Sequence, residues 1–389
     1  MLVAVVGGNL QGVEAAYLAQ KAGWDVLLFD RKAAPPATDL CQRFIRFDVT
    51  SVQKTAELLG HADLVLPALE NQKALDVLST CAASGEIALA FDPDAYAVTA
   101  SKIQSNTLFD RLGILTPGQW PDCGFPMVVK PDCASGSQGV RVVHHRDKLP
   151  DDYDKPGKYV LQKFTPGPSY SLEVVGTPGR YQPLQVTTLE MDAVFDCKRV
   201  LAPANLSLHL TKSFERMAVK LAESIRLRGV MDVEVILDGQ ALAVLEIDAR
   251  LPSQTPTTVY WSTGVNMVAQ LEAVFSGRDN LLAMPDIKRL HSVIYEHIHV
   301  SNSKMEVGGE HLMSNVDPLH IRQDFFGADE ALTNYRSGRE SWVATLIFSE
   351  SDQHNVTQKR NTTIEAIKRH CDVDTYLDPG PSMGINQGN

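Results

Sequence analysis

Val244–Thr257 reads VLEIDARLPSQTPT. With Leu242, its apolar positions Val244, Leu245 and Ile247 predict a buried strand, and that strand carries Glu246 and Asp248 at i and i+2. Strand side chains alternate between faces, so this spacing puts both carboxylates on one face. Upstream, Met231–Ile236 reads MDVEVI and predicts a neighbouring strand with Asp232 and Glu234 on one face, joined to the first through a turn at Asp238-Gly239-Gln240. Carboxylates gathered from core strands raise each other's pKa and destabilise the fold unless a cation sits among them. Oxygen-only ligation suits Mg²⁺ shared between carboxylates and substrate phosphates. The plainer reading is a pair of exposed edge strands with solvated acids; against it, these acids alternate with Val, Ile and Leu rather than with Lys or Thr.

The rest of the chain supplies a setting for that hairpin. At 389 residues it has room for two or three compact units. With 44% hydrophobic and 21% charged residues it reads as a globular protein, and a net charge of −11 argues against a nucleic-acid surface. Six scattered cysteines without a CxxC fit a reduced cytoplasm and predict neither disulfides nor a zinc site. The opening MLVAVVGG lacks a basic region ahead of its apolar run, so a first β-strand is expected, with no signal peptide and no membrane span.

That strand, Leu2 to Val6, leads into Gly7-Gly8-Asn9-Leu10-Gln11-Gly12, a helix from Val13 to Ala22, and a second strand ending at Asp30. The order is that of the first unit of a doubly wound sheet, in which a helix N-terminus favours an anion and the acid can reach a ribose hydroxyl. The glycines are not spaced GxGxxG, so a ligand-free tight turn stands beside the nucleotide reading. Phe47-Asp48-Val49, a helix over Ser51 to Leu59, and Leu64 to Pro67 continue the alternation; Asp30 and Asp48 are counted with the cofactor contacts. Glu70 follows the last strand, placed either to meet an ammonium group in the crevice or to cap the next helix. Beyond Phe91-Asp92-Pro93 come Ser101-Lys102 on a helix, the strand Met127 to Lys130, the loop Ala134-Ser135-Gly136-Ser137-Gln138-Gly139, and a strand from Val140 to Val143. Small residues let backbone amides approach phosphate oxygens, and a lysine on a rigid strand adds a fixed cation, although a surface hairpin would look the same. Val160 to Phe164, Leu184 to Met191 and Asp196 to Leu201 predict further strands, and Leu210 to Ile225 an amphipathic helix.

Taken in order, these pieces resemble the ATP-grasp superfamily, which holds ATP between two α+β subdomains and activates a carboxylate as an acyl phosphate. GGNLQGVEAAYL, FDVT, LPALEN, SLEVVG, GVMDVEVI and above all LEIDARLPSQTPTTVYWSTGVN resemble, more narrowly, the 3-methyl-D-ornithine–L-lysine ligases of pyrrolysine biosynthesis. The resemblance runs from residue 1 to about Gly277, with an echo at Tyr295-Glu296-His297. It implies an α/β chain, α+β in its ATP-grasp part: a Rossmann-like domain over 1–92, a central lid subdomain over 93–175, a catalytic subdomain over 176–377, and a disordered tail over 378–389.

The same resemblance implies residue roles. Glu234, Glu246 and Asp248 would hold Mg²⁺, with Asp232 a further ligand or an amine contact. Lys102 and Lys130 would meet ATP phosphates under a lid made of Ser135, Gly136, Ser137 and Gly139, and Gln162, Lys163 and Phe164 would meet adenine. Ser253, Gln254, Thr255 and Thr257 would hold 3-methyl-D-ornithine, with Arg250 near its acyl phosphate and Glu173 near an amine. Arg250 and Lys130 would be the catalytic cations. Leu10, Gln11 and Glu70 would bind L-lysine. A homodimer is expected on the same ground. Three departures stand out: Asn9 replaces a lysine of the archaeal relatives; Gln162-Lys163 replaces a pair of acids at the hinge, leaving no carboxylate there for a ribose; and the chain is expected to continue past the family's usual end. Three rivals remain open on sequence: another ATP-grasp carboxylate–amine ligase such as a D-amino-acid dipeptide ligase, an NAD-dependent oxidoreductase built on the glycine turn and Asp30, and a nucleotide sensor without catalysis.

Overall fold

The computed structural model describes residues 1–134, 136–277 and 290–381. Strands β1 (Leu2–Val6), β2 (Asp25–Asp30), β3 (Arg43–Arg46) and β4 (Leu64–Pro67) form a parallel sheet in the order β3-β2-β1-β4, with helices α1 (Leu10–Lys21), α2 (Val52–Leu59) and α3 (Gln72–Ala83) between them. Strands β1, β2 and β4 are apolar and buried over most of their length, because helices cover both faces of a parallel sheet, whereas the edge strand β3, RFIR, is not. The turn after β1 needs its glycines. Gly7 sits at φ +106° with Ala68 O 2.3 Å from where a Cβ would lie, and a Cβ on Gly12 would meet Gly7 O at 2.0 Å. The third strand lies at Arg43–Arg46, so Phe47-Asp48-Val49, expected as strand, forms the loop at its carboxyl end.

Helices α4 (Pro93–Thr99) and α5 (Lys102–Leu112) lead to a three-stranded antiparallel sheet of β5 (Met127–Pro131), β6 (Arg141–Val143) and β7 (Tyr159–Lys163) in the order β6-β5-β7. The Ala134–Gly139 loop joins β5 to β6. Next come β8 (Ser169–Thr177), β9 (Arg180–Pro183), β10 (Thr187–Met191), β11 (Cys197–Ala202), α6 (Leu208–Ser224), β12 (Gly229–Asp238) and β13 (Ala241–Asp248). Helices α7 (Thr255–Thr263) and α8 (Met267–Phe275) follow, then β14 (Ser292–Ser301), β15 (Lys304–Val307), β16 (His320–Phe325), β17 (Ala328–Thr333), β18 (Ser341–Glu350), α9 (Gln353–His370) and β19 (Thr375–Leu377). Among the described residues β8 to β19 make one large sheet with the central order β13-β12-β8-β10-β11-β14-β18-β17-β16.

The resemblance places most of strand β8 in the lid subdomain over 93–175. It is instead buried along nearly its whole length between β12 and β10 of the large sheet, and its Ser171 and Glu173 stand opposite Glu234 and Asp232. Helix α6 covers the other face of these strands with Phe214, Ala218, Leu221 and Ala222, a stripe at helical spacing that packs on Leu172, Val174, Val233 and Val235. The region past Glu306, where the sequence pattern weakens, adds strands to the same sheet. Asp378, which the sequence assigns to a disordered tail, is held by Lys198 at 2.6 Å and Arg199 at 2.8 Å. Residues 382–389 of that expected tail lie outside the described residues. Among the described residues no helix is long and apolar enough to cross a membrane.

Candidate active site

The two acid-bearing strands pair as a hairpin, with Asp232 opposite Asp248 and Glu234 opposite Glu246. Strand β8 adds a third layer, Glu173 opposite Asp232 and Ser171 opposite Glu234. Directly opposed residues share a face, so two rows, Glu173–Asp232–Asp248 and Ser171–Glu234–Glu246, cross the sheet side by side. That face turns away from α6 and carries five carboxylates.

Two cations of the chain answer them. Helix α5 opens at the cap residue Ser101, whose side chain accepts from Gln104 N, so Lys102 stands in the first turn. Asp132, just past β5, fastens that helix end, taking Ser101 Oγ and Ile103 N at 2.9 Å each. Lys102 Nζ then reaches Glu246 at 2.8 Å and the carbonyl of Ala134 at 2.6 Å. Arg250 spans the second gap, with Nε 2.6 Å from Asp248 and Nη2 2.6 Å from Glu70. The sequence placed Glu70 against an amine; the structure also sets it against Arg250, a partner far along the chain for which no local signal exists.

The acids remain under strain of charge. Burial pushes the Glu173 carboxyl up to about 7 against hydrogen bonds from Thr255 and Ser171. Burial and Glu246 push Glu234 up to about 7 against Lys130 and Lys102. Asp248 rises to about 6, burial outweighing the pull of Arg250, and Asp232 is pushed up by burial and then by Asp248 and Glu234. Burial lowers the Lys130 ammonium, with Glu246 opposing.

Three cavities abut here, and Gly136 borders all of them. One of about 380 Å³ lies between the small sheet and the large one, lined by Lys102, Lys130, Ser137, Gln162, Lys163, Phe164, Glu234 and Glu246. Ser137, at φ +57°, latches the glycine loop by donating to Phe195 O at 2.7 Å. Gly139 is packed against Pro131 at the loop's end, and Ser135 lies outside the described residues. The hinge amide Gln162 donates to Asn106 at 3.1 Å, and Lys163 lies 3.9 Å from Asp238. A second cavity, of about 150 Å³, lies over the acid rows, reaching Asp232, Asp248, Arg250, Ser253, Gln254 and Thr255. The third, about 450 Å³, opens at the carboxyl ends of β1, β2 and β4 and holds Leu10, Gln11, Asp30, Asp48, Glu70 and Arg250.

Several expected residues sit differently from their expected roles. Asp30 and Asp48 line the third cavity rather than the one between the sheets. The Asp30 carboxylate is taken by backbone N–H groups, Gly8 at one oxygen and Lys32 at the other, both at 2.7 Å. Gln11 donates to Leu251 O at 2.7 Å, tying α1 to the segment that follows the acid strand. Glu173 and Thr257 are fully buried and line none of these three cavities. The sequence missed Glu310, which accepts from the Ser253 hydroxyl and borders both the second and third cavities. A lone acid in a weakly patterned segment offers no signal.

The donor set around Glu234, Glu246 and Asp248 is all oxygen, and Asp248 Oδ1 is buried without a partner, which fits a hard divalent cation. Among the described residues, however, these three do not close as a group. The His, Asp and Glu ligand atoms that lie within 4.8 Å of one another are those of Asp192, Asp196 and His311. There the carboxylates already accept N–H bonds, Asp192 from Gly309 and Asp196 from His311, each at 2.9 Å.

A family model described as an ATP-grasp domain matches residues 99–254. The 3-methyl-D-ornithine–L-lysine ligases of Methanosarcina barkeri and Methanosarcina mazei are 32% and 30% identical to this chain, aligned over 94% of it and over 97% and 95% of their own lengths. The ADP complex of an N5-carboxyaminoimidazole ribonucleotide synthetase superposes with a TM-score of 0.69, covering 95% of this chain and 97% of that one at 13% identity, a likeness of fold.

Proposed function

The chain belongs to the 3-methyl-D-ornithine–L-lysine ligases, ATP-grasp enzymes of pyrrolysine biosynthesis, and from that membership we propose how its residues divide the reaction. The carboxylate of (3R)-3-methyl-D-ornithine is phosphorylated by ATP. The ε-amine of L-lysine then displaces phosphate, giving 3-methylornithyl-N6-lysine, ADP and phosphate. The observation that carries the assignment of roles is the chain of three cavities. Arg250 borders the second and third, and Glu234 and Glu246 border the first and second.

ATP takes the cavity between the sheets. Lys102 and Lys130 bring positive charge to its phosphates, and the Gly136–Gly139 loop closes over them. Phosphoryl transfer is governed by positioning and charge neutralisation, which these fixed cations supply without reorganisation. Glu234, Glu246 and Asp248 would hold Mg²⁺, which, when bound, offsets phosphate charge. The acyl substrate lies in the middle cavity, its ammonium groups toward Asp232 and Glu310 and its carboxylate toward Arg250. Lysine enters through the third cavity past Leu10, with Glu70 receiving an ammonium group. The latch from Ser137 to Phe195 O keeps water from the acyl phosphate.

Phosphate release from Mg·ATP, measured with L-lysine and D-ornithine separately and together, tests this reading. Release that requires both amino acids is expected; release with lysine alone contradicts it.

A further inference from the structure

Helix α7 begins immediately after the Ser253–Gln254 pair, and its first turn lacks a cap of its own. Gln254 occupies the N-cap position at φ +69° and ψ −56°, and its side chain makes no capping bond. That amide reaches sideways instead, Nε2 donating to Cys197 O at 3.1 Å, while its Oε1 is buried without a partner. The first N–H groups of a helix need acceptors from outside it. Here the acceptor comes from the other domain: Thr257 N donates to Glu14 Oε1 at 2.5 Å, and Glu14, on α1, is 1% exposed. The rest of α1 is fastened to the same segment. Gln11 Nε2 donates to Leu251 O at 2.7 Å, Trp261 Nε1 to Tyr17 OH at 2.8 Å, and Asn266 Nδ2 to Leu18 O at 2.7 Å.

We propose that Glu14 is a positioning residue for the acyl-substrate site: by capping α7 from the N-terminal domain it fixes the turn that sets Ser253 and Gln254, whose amide oxygen has no partner among the described residues, at the wall of the middle cavity. The same contact couples the two substrate cavities, since α1 begins with Leu10 and Gln11 at the edge of the third. The proposal rests on the reading that Ser253 to Thr257 holds the D-ornithine end. Glu14 suits this task because its side chain keeps an acceptor oxygen for the Thr257 N–H; burial pushes its pKa up to about 7, against hydrogen bonding from Thr257 and the Gln254 backbone. Without Glu14, the Thr257 N–H loses its acceptor and the turn at Gln254, held at φ +69°, loses its tie to α1.

The test compares Glu14→Ala and Glu14→Gln with the wild type, measuring kcat, KM for D-ornithine, L-lysine and Mg·ATP, and Tm. Loss of a cap amounts to about a tenfold change in equilibrium, so Glu14→Ala raises the D-ornithine KM about tenfold while the Mg·ATP KM stays within about twofold. Glu14→Gln keeps an acceptor oxygen and restores the wild-type KM. If the alanine variant does not fold, Glu14→Asp, whose oxygens stop one methylene short, shows the same split. An unchanged D-ornithine KM, an equal rise in all three KM values, or a glutamine variant as poor as alanine overturns the proposal. A wild-type enzyme that ignores both D-ornithine and 3-methyl-D-ornithine overturns the substrate reading, and this proposal with it, before any variant is made.

Discussion

Arg250 is the residue through which the acid strands and the N-terminal crevice meet, and Arg250→Lys tests that junction. Its guanidinium uses Nε for Asp248 and Nη2 for Glu70, at 2.6 Å each. A lysine has one nitrogen and cannot hold both carboxylates in this fork. Asp248 and Arg250 side chains are 15% and 16% exposed, so breaking that pair costs about 3 kcal/mol. The Glu70 contact, with its carboxylate one-third exposed, contributes at most about 1 kcal/mol. For the reaction, losing a fixed cation aimed at developing charge lowers kcat by about 10²- to 10³-fold. Arg250 does not line the cavity between the sheets, so KM for Mg·ATP should not move. Steady-state kinetics with each substrate varied in turn, alongside thermal unfolding, decides the matter. A variant with normal kcat and a raised Mg·ATP KM would refute the reasoning, because it would place Arg250 with the nucleotide.

Glu246→Gln removes the carboxylate shared by Lys102 and the acid row; turnover should vanish while circular dichroism stays that of the folded chain, and wild-type activity in this variant would sink the metal assignment. The Glu173 carboxyl is raised from 4.5 to about 7. Its stabilising contribution in the ligand-free protein is therefore present below about pH 4.5 and lost as pH rises through about 7. Glu173→Gln should flatten that fall in Tm between pH 5 and 8, and an unchanged slope would show that Glu173 is not its source. Phe214→Ala opens the core beneath the acid strands and should cost about 3–5 kcal/mol of stability, read as a lower denaturation midpoint with Mg·ATP KM unaltered.

Much of this site was legible because its chemistry is local. The i, i+2 acids on β12 and β13 and the turn between them put each pair on one face, but the pairing of Glu234 with Glu246 was not legible: the turn alone would set Glu234 opposite Leu245, and a register shift between Glu234 and Val235 brings the two acids together. The glycine turn was legible too, since Gly7 and Gly12 stand where any side chain would strike backbone. What escaped was contact at long range. Arg250 finds Glu70, Glu14 finds Thr257, and Ser253 finds Glu310, each across a span that no periodicity encodes. Strand β8 escaped for a different reason. Its alternation suggests one wet face, but that face turns inward and its Ser171 and Glu173 extend the acid rows. Part of the region past Glu306 was unread because its shortest strand, Thr375–Leu377, takes its stability from joining a sheet already formed.

The central claim is that ATP activates the substrate carboxylate as an acyl phosphate before lysine attacks. D-Ornithine carrying ¹⁸O in both carboxylate oxygens, turned over with L-lysine and Mg·ATP, tests it by the mass of the released phosphate. The account predicts one ¹⁸O in each phosphate and one in the amide product, whose mass is that of the two amino acids less one water. Phosphate free of ¹⁸O, with turnover intact, would contradict it.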